Sequence, residues 1–171
     1  MPPRHPLPRT WLMTDERLGD RLFEAVARLP EGSGIVFRHY SLAPGERRAL
    51  FEAVRARAAG QVVVLAGSAE VARAWGADGS HGRGAREGFW TAPVHDEGEL
   101  SAAAGAGLVF VSPVFATRSH RLGKVLGVEG FEALARRARQ PVIALGGMNE
   151  ERFGALRSAY GWAGIDCWMG D

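Results

Sequence analysis

The feature of this chain that most limits its fold is a regular alternation of short apolar runs with helical patterns. The clearest run covers residues 141–147, where Val, Ile, Ala and Leu are followed by two glycines. A strand of a parallel sheet is buried on both faces and therefore reads as a continuous apolar run. Eight such runs alternate with helical patterns along the chain. Strands that alternate with helices predict βαβ units and a parallel sheet.

The pattern places the predicted strands and helices as follows. The predicted strands are residues 10–14, 34–40, 61–66, 77–81, 88–94, 108–114, 141–145 and 164–169. The predicted helices are residues 15–29, 44–59, 68–75, 96–104, 127–139 and 149–160. Eight strands of this kind predict a small (β/α)8 TIM barrel without a crossover helix after strand four and without a final helix. An open doubly wound sheet is the alternative.

The link between predicted strands four and five is unusually short. It comprises residues 82–87 and contains two glycines. A parallel connection usually needs a dozen residues or more. Either this crossover is a tight loop or the fourth strand is misassigned.

The length and the opening residues predict the domain organisation. We expect a single barrel domain at residues 10–171, preceded by an extended arm at residues 1–9 that is rich in proline. Missing outer helices would leave strand faces uncovered, which favours a homo-oligomer. The single cysteine, Cys167, excludes an internal disulfide and a cysteine-based zinc site.

The composition of the chain indicates where the protein is located and which classes of partner it does not bind. The chain is 46% hydrophobic and 23% charged, with a formal net charge of +2, which is ordinary for a soluble globular protein. No signal peptide and no run of 18 apolar residues is present, so we expect a cytoplasmic protein that does not bind a membrane. Arg136, Arg137 and Arg139 form a basic group without an aromatic platform, and we expect them on a solvated helix face rather than against nucleic acid.

Polar residues and glycines follow the sixth and seventh predicted strands. Barrels place their sites at the C-terminal ends of the strands. Glycines there let backbone N–H groups approach a phosphate, and hydroxyl and cationic side chains bind it. The phosphate-binding candidates are Thr117, Arg118, Ser119, His120, Lys124, Gly146 and Gly147.

Two further residues are the catalytic candidates. Arg38 ends the second strand, where it could clamp an anion with two hydrogen bonds or pair with Asp15 or Glu16. His95 ends the fifth strand, and imidazole titrates in the range that general acid–base catalysis needs. The alternative for His95 is a structural role as a helix cap or beneath a loop.

Four stretches of the chain resemble the family of thiamine phosphate synthase and its thiazole tautomerase relatives, the TenI group. Thr10-Trp-Leu-Met-Thr-Asp15 is similar to a first-strand motif that ends in Thr-Asp, and residues 76–81 are similar to Gly-Ala-Asp-Gly-Val-His. Residues 111–117 resemble Gly-Pro-Val-Phe-Pro-Thr, and residues 141–147 resemble Pro-Val-Val-Ala-Ile-Gly-Gly. The resemblance covers most of the chain. It implies a transferase that joins hydroxymethylpyrimidine diphosphate to thiazole phosphate and releases pyrophosphate, assisted by Mg²⁺.

The chain departs from the family pattern on the diphosphate and metal side. The family's Gln-x-Arg-x-Lys reads Val36-Phe-Arg38-His-Tyr40 here, and an Asn-Asp pair that serves the metal reads Ala66-Gly67. The acidic residue after strand four falls in the short link, where Glu87 is the substitute. The monophosphate side keeps more of the pattern. The resemblance therefore implies that any Mg²⁺ is held by the substrate's diphosphate and that no protein residue is a metal ligand.

Three functions stay open at this point. The first is the synthase reaction, which is the role of the family. The second is a metal-free isomerase that acts on a thiazole phosphate, with His95 as general acid and base. The third is a non-catalytic protein that binds a phosphorylated ligand. A barrel fold alone implies none of these.

Overall fold

Eight short parallel strands close into a barrel in chain order in the computed structural model, which describes residues 6–84, 87–118 and 124–170. The strands are β1 (Thr10–Met13), β2 (Gly34–Phe37), β3 (Val62–Ala66), β4 (Gly79–His81), β5 (Trp90–Val94), β6 (Leu108–Val111), β7 (Val142–Ala144) and β8 (Gly161–Gly164). The predicted (β/α)8 barrel is confirmed, and the open sheet is excluded because β1 pairs with both β2 and β8.

Helices connect most of the strands on the outside. Among the described residues they are α1 (Leu22–Arg28), α2 (Pro44–Arg57), α3 (Ala69–Ala74), α4 (Glu97–Ala102), α5 (Gly127–Arg137) and α6 (Glu150–Phe153), with 3₁₀ helices at Glu16–Arg21 and Asp166–Trp168. The predicted caps form: the side chains of Ser68, Asp96 and Asn149 accept the backbone N–H groups of Val71, Glu99 and Arg152, respectively. Each bond satisfies a donor that the helix start leaves open.

The short link between β4 and β5 is a tight loop, as one of the two alternatives predicted. The two strands pair in parallel, Ser80 opposite Trp90 and His81 opposite Thr91. The described parts of the link, residues 82–84 and 87–89, contain no helix. Gly79 makes the close crossing possible, since a Cβ there would lie 2.5 Å from the carbonyl oxygen of Phe89.

The predicted helix at residues 149–160 is wrong in its second half. Helix α6 ends at Phe153. Beyond it, the buried carboxylate of Glu132 on α5 accepts the N–H groups of Arg157 at 2.7 Å and Ser158 at 3.2 Å. These amides are therefore satisfied by a side chain from another helix and do not continue α6.

The eighth strand lies earlier in the chain than predicted. It covers Gly161–Gly164, and most of the predicted range, residues 164–169, instead contains the 3₁₀ helix at Asp166–Trp168. Glycine is required at both ends of the strand by close neighbours. A Cβ at Gly161 would overlap the carbonyl oxygen of Arg9, and one at Gly164 would overlap the sulfur of Cys167.

The interior of the barrel is packed around aromatic rings. Trp11 on β1 is fully buried and meets the edge of Phe110 on β6, with ring centroids 5.3 Å apart. Its indole N–H donates to the carbonyl oxygen of Pro8 at 2.8 Å. A second bond holds the arm segment to the start of β8, from the hydroxyl of Tyr160 to the carbonyl oxygen of Leu7. Residues 1–5 of the predicted arm lie outside the described residues.

None of the described helices has the length and apolar composition needed to span a bilayer.

The closure of the barrel at Gly161 is testable. We expect Gly161→Ala to lower the free energy of unfolding by about 3 kcal/mol, because the added methyl group meets backbone and not a flexible side chain. Gly45→Ala in α2 is the matched control, since nothing lies within 4 Å of its Cβ position. It should change stability by less than about 1 kcal/mol. Urea unfolding followed by circular dichroism measures both, and equal effects of the two substitutions would contradict the close approach at Gly161.

Candidate active site

A cavity of about 400 Å³ opens at the C-terminal ends of the strands, where barrels place their sites. Phe110, Met13 and Leu145 supply apolar parts of its wall, and Phe110 connects it to the packed interior. The polar side chains that line it are those of Arg17, Arg38, Tyr40, His81, Arg83, His95, Ser112, Thr117, Asp166 and Cys167. Both catalytic candidates from the sequence, Arg38 and His95, therefore lie in one cavity.

Asp15 holds two arginines on the wall formed by the ends of β1 and β2. One carboxylate oxygen lies 3.0 Å from Nε of Arg17, and the other lies 3.1 Å from Nη2 of Arg38. Arg38 also donates to the carbonyl oxygen of Thr14 at 2.7 Å. Of the two roles weighed for Arg38, the ion pair with Asp15 is observed, while Glu16 accepts from Ser41 instead. Arg38 is nevertheless part of the cavity wall, so the ion pair orients it there.

The guanidinium group of Arg38 stays positively charged although it is partly buried. Burial lowers the pKa of Arg38, and the nearby charge of Asp15 opposes that shift. A guanidinium group starts from so high a pKa that it stays charged in proteins. Arg17 adds a second cation and lies 3.6 Å from a carboxylate oxygen of Asp166. Sequence reasoning missed Arg17, although its position two residues after Asp15 was a usable signal.

The wall formed by β4 and β5 carries a chain of three polar groups. Glu99 on α4 accepts from the backbone N–H of His95 at 2.8 Å and lies 2.7 Å from Nδ1 of the same histidine. The other carboxylate oxygen of Glu99 lies 2.9 Å from Nη2 of Arg83. The carboxylate thereby fixes the imidazole orientation, which is how an acid–base histidine is positioned in many sites.

The charge state of Glu99 follows from these contacts. Partial burial alone would raise the pKa of Glu99, but the hydrogen bonds from His95 and Arg83 outweigh it and lower that pKa below its ordinary value. Glu99 is therefore ionised at neutral pH. Arg83 was not among the candidates. It lies in the tight link after β4, where the substitute acid Glu87 was expected.

Glu87 itself takes no part in the cavity. It is largely exposed and pairs with Arg73, 3.1 Å away. The described part of the link thus brings a cation to the cavity, through Arg83, where the family pattern implies an acid.

A guanidinium group also occupies the end of β3. Arg47 on α2 donates to the carbonyl oxygens of Ala66 and Arg38, at 2.7 Å each. Its planar group lies 5.6 Å from the ring centroids of Tyr40 and Trp75. This is the position where the family resemblance implies residues that serve a metal.

The residues present do not fit a protein-held Mg²⁺. Proteins bind Mg²⁺ through one or two carboxylates, with waters and substrate phosphates as the other ligands. Among the described residues, Asp166 is the one carboxylate in the cavity lining, and it lies 3.6 Å from the guanidinium group of Arg17. Among the residues that the structure describes, no group of three His, Cys, Asp or Glu side chains is close enough to hold a metal. The end of β3 offers the cation of Arg47 in place of an acid.

The phosphate-binding candidates separate into three groups. Thr117, Gly146 and Gly147 line the cavity. Arg118 and Lys124 are exposed and are not part of its wall. Ser119 and His120 lie outside the described residues.

The two glycines after β7 have a packing requirement that the sequence did not show. Both have positive φ angles, +100° at Gly146 and +60° at Gly147. A Cβ at Gly146 would lie 2.7 Å from Cα of Pro113, and one at Gly147 would lie 2.7 Å from the carbonyl oxygen of Ala116. The segment after β6 therefore packs directly on these glycines, whatever else binds there.

Two other titratable side chains line the cavity, those of His81 and Cys167. His81 is buried, with Nδ1 at 2.8 Å from the hydroxyl of Thr91 and its ring against the edge of Phe110. Cys167 is exposed, and desolvation of its sulfur raises the pKa of the thiol, so this cysteine stays protonated at neutral pH and is a poor nucleophile.

Comparison with known proteins connects this cavity to a family. Residues 90–167 match the model of a family described as thiamine monophosphate synthase. No curated protein matches the chain. The family model spans β5 to β8 and includes His95, Thr117, Gly146 and Gly147. The resemblance to the thiamine phosphate synthase and TenI family is thereby confirmed over residues 90–167, which contain two of the four sequence motifs.

Solved structures share the fold. A thiamine phosphate pyrophosphorylase from Pyrococcus furiosus is 22% identical, with a TM-score of 0.76 over 96% of this chain and 88% of that one. A thiamine phosphate pyrophosphorylase from Bacteroides thetaiotaomicron is 14% identical, with a TM-score of 0.60 over 94% of this chain and 83% of that one.

The contacts of Glu99 predict a pH-dependent contribution to stability. Because the folded protein lowers the pKa of Glu99, its contribution is fully present above the ordinary glutamate pKa and is lost as the pH falls through the lowered value. We expect Glu99→Gln to cost about 1–2 kcal/mol at pH 7, and the difference from the parent protein should shrink towards pH 3. Urea unfolding at both pH values measures this.

Glu97→Gln is the matched control, since Glu97 is mostly exposed and pairs with the exposed Arg137. It should cost less than about 0.5 kcal/mol at either pH. A cost for Glu99→Gln that is the same at pH 7 and pH 3 would contradict the assignment of an ionised carboxylate.

Proposed function

We propose that this chain is an enzyme of thiamine biosynthesis that joins hydroxymethylpyrimidine diphosphate to thiazole phosphate and releases pyrophosphate. The observation that carries the proposal is a cavity lined by three arginines at the C-terminal ends of a barrel whose second half matches the family model. Both substrates are phosphorylated, and the product pyrophosphate is a strong anion. A cationic cavity of this kind suits all three.

The reaction requires stabilisation of negative charge on the leaving group. The thiazole nitrogen attacks the methylene carbon of the pyrimidine, a C–N bond forms, and the bond from that carbon to the diphosphate oxygen breaks. Preorganised cations that face the developing charge lower the barrier of such a step. Arg38, oriented by Asp15, is the residue to which we assign this role.

The monophosphate of the thiazole belongs at the other side of the cavity. Thr117 supplies a hydroxyl group there, and Gly146 and Gly147 also line the cavity, on the face that the segment after β6 does not cover. Backbone N–H groups and hydroxyl groups are common ligands of phosphate. This arrangement supports binding the two phosphorylated groups at separate ends of one cavity.

A second function is favoured by one specific observation, the hydrogen bond between His95 and Glu99. An imidazole held by a carboxylate can both accept and donate a proton. That is the requirement of an isomerase that moves a proton on a thiazole phosphate. Neither this reaction nor the residues named above need a metal ligand from the protein.

The first experiment measures product formation. Purified protein is incubated with both substrates and Mg²⁺, and thiamine phosphate is detected chromatographically, with a thermal melt of the same sample to verify folding. We expect thiamine phosphate, and we expect Arg38→Met to lower its rate of formation about 10- to 100-fold because a charged contact to the leaving group is lost. Arg48→Met is the control, since Arg48 pairs with Glu52 on the exposed face of α2.

The other outcomes decide between the candidates. Absence of product from well-folded protein would contradict the synthase proposal. Conversion of a thiazole phosphate tautomer by the parent protein, lost in His95→Asn, would then establish the isomerase. Failure of both assays would leave a protein that binds a phosphorylated ligand.

A further inference from the structure

We propose that this cavity binds a diphosphate through Arg17, Arg38 and Arg83 without a divalent cation, so that guanidinium groups do the work that Mg²⁺ does in the family. The inference rests on the proposed function, because it concerns the diphosphate in the same cavity. Three features of the described residues support it.

The first feature is that the guanidinium group of Arg47 occupies the end of β3. Nη2 of Arg47 donates to the carbonyl oxygen of Ala66 at 2.7 Å, and neighbouring Gly67 has no side chain. A divalent cation near this strand end would face the positive charge of Arg47 and would lack a carboxylate ligand. Two positive charges that lie close together repel strongly where solvent is partly excluded.

The second feature is that the carboxylates at the cavity already face arginines, including Asp166 in its lining, which lies 3.6 Å from Nη1 of Arg17. Asp15 bridges Arg17 and Arg38 with its two oxygens. Glu99 holds Arg83 and His95 in the same way. A metal bound by either carboxylate would have to replace these ion pairs, whereas an anion bound by the arginines leaves them in place.

The third feature is the geometry of the arginines themselves. A guanidinium group carries five N–H donors in one plane and can bind a carboxylate on one edge while it binds a phosphate on another. Arg17 and Arg38 come from the ends of β1 and β2, and Arg83 comes from the link after β4. The side chain of Arg83 is 65% exposed although it lines the cavity. It is therefore accessible to a ligand that enters from solvent.

Inorganic pyrophosphate is the probe, and isothermal titration calorimetry is the measurement. The full chain is titrated in buffer with EDTA and again with Mg²⁺ and no chelator. We expect binding in EDTA, and we expect added Mg²⁺ to strengthen it by less than threefold. Arg83→Met should weaken binding in EDTA at least tenfold, as loss of a charge-assisted contact does. Higher salt should weaken it as well.

The variants are chosen so that a folding defect does not blur the result. Arg83 lies on an exposed loop, so Arg83→Met should leave the thermal melt nearly unchanged. Arg17→Met is a second test, at the arginine that follows β1. Arg48→Met removes the same charge from α2, far from the cavity lining, and should bind as the parent protein does. Binding that needs Mg²⁺, or binding that Arg17→Met and Arg83→Met both leave unchanged, overturns the inference.

The two proposals fail differently. If pyrophosphate binds in EDTA but no thiamine phosphate is formed under any condition, the inference stands and the synthase function is wrong. If thiamine phosphate is formed, and both its formation and pyrophosphate binding require Mg²⁺, the function stands and the inference is wrong.

Discussion

The pairing of the last strand with the first is the constraint on which the remaining structure depends. Trp162 donates its N–H to the carbonyl oxygen of Arg9 at 2.8 Å, and Gly161 has no side chain to keep the two strands apart. An open sheet would spread the strand ends along an edge. A closed barrel instead brings residues that are distant in sequence to one rim, because every parallel strand ends on the same side. Arg17 after the first strand and Asp166 after the last consequently lie within 3.6 Å of each other.

Ion pairs then determine which charged groups at this rim are available to a ligand. Asp15 and Glu99 each bind an arginine and leave it on the cavity wall, so the acids orient cations and are not available as ligands. The enclosed volume is large enough for a small phosphorylated molecule, and its walls combine these cations with apolar surface from Phe110 and Met13. Such a mixture favours a ring compound with an anionic group over a purely ionic ligand. The phosphorylated substrates proposed above are ligands of this kind.

The sequence predicted the architecture well, because alternation of buried strands with amphipathic helices is a local signal. It failed where a choice depended on distant neighbours. Residues 164–169 are more apolar than residues 161–164, yet the latter form the strand, because the glycines at its two ends fit beside Arg9 and Cys167. The backbone amides of residues 157 and 158, beyond α6, are satisfied by Glu132, a residue of the preceding helix. In the cavity, Arg38 and His95 were recognisable from their positions after strands. Arg83 was not, because its partner Glu99 follows sixteen residues later and no pattern links the two.

The tight link after β4 has a consequence for the insertions that this barrel can accept. The described part of this link contains no helix, and Arg83, Gly84, Glu87 and Gly88 within it are exposed. Nothing lies within 4 Å of a Cβ at Gly84 or Gly88, and exposed loops of this kind accept insertions at small entropic cost. An insertion in this link should therefore leave the strands in place. Because Arg83 lines the cavity, an added segment here would change how a ligand enters it.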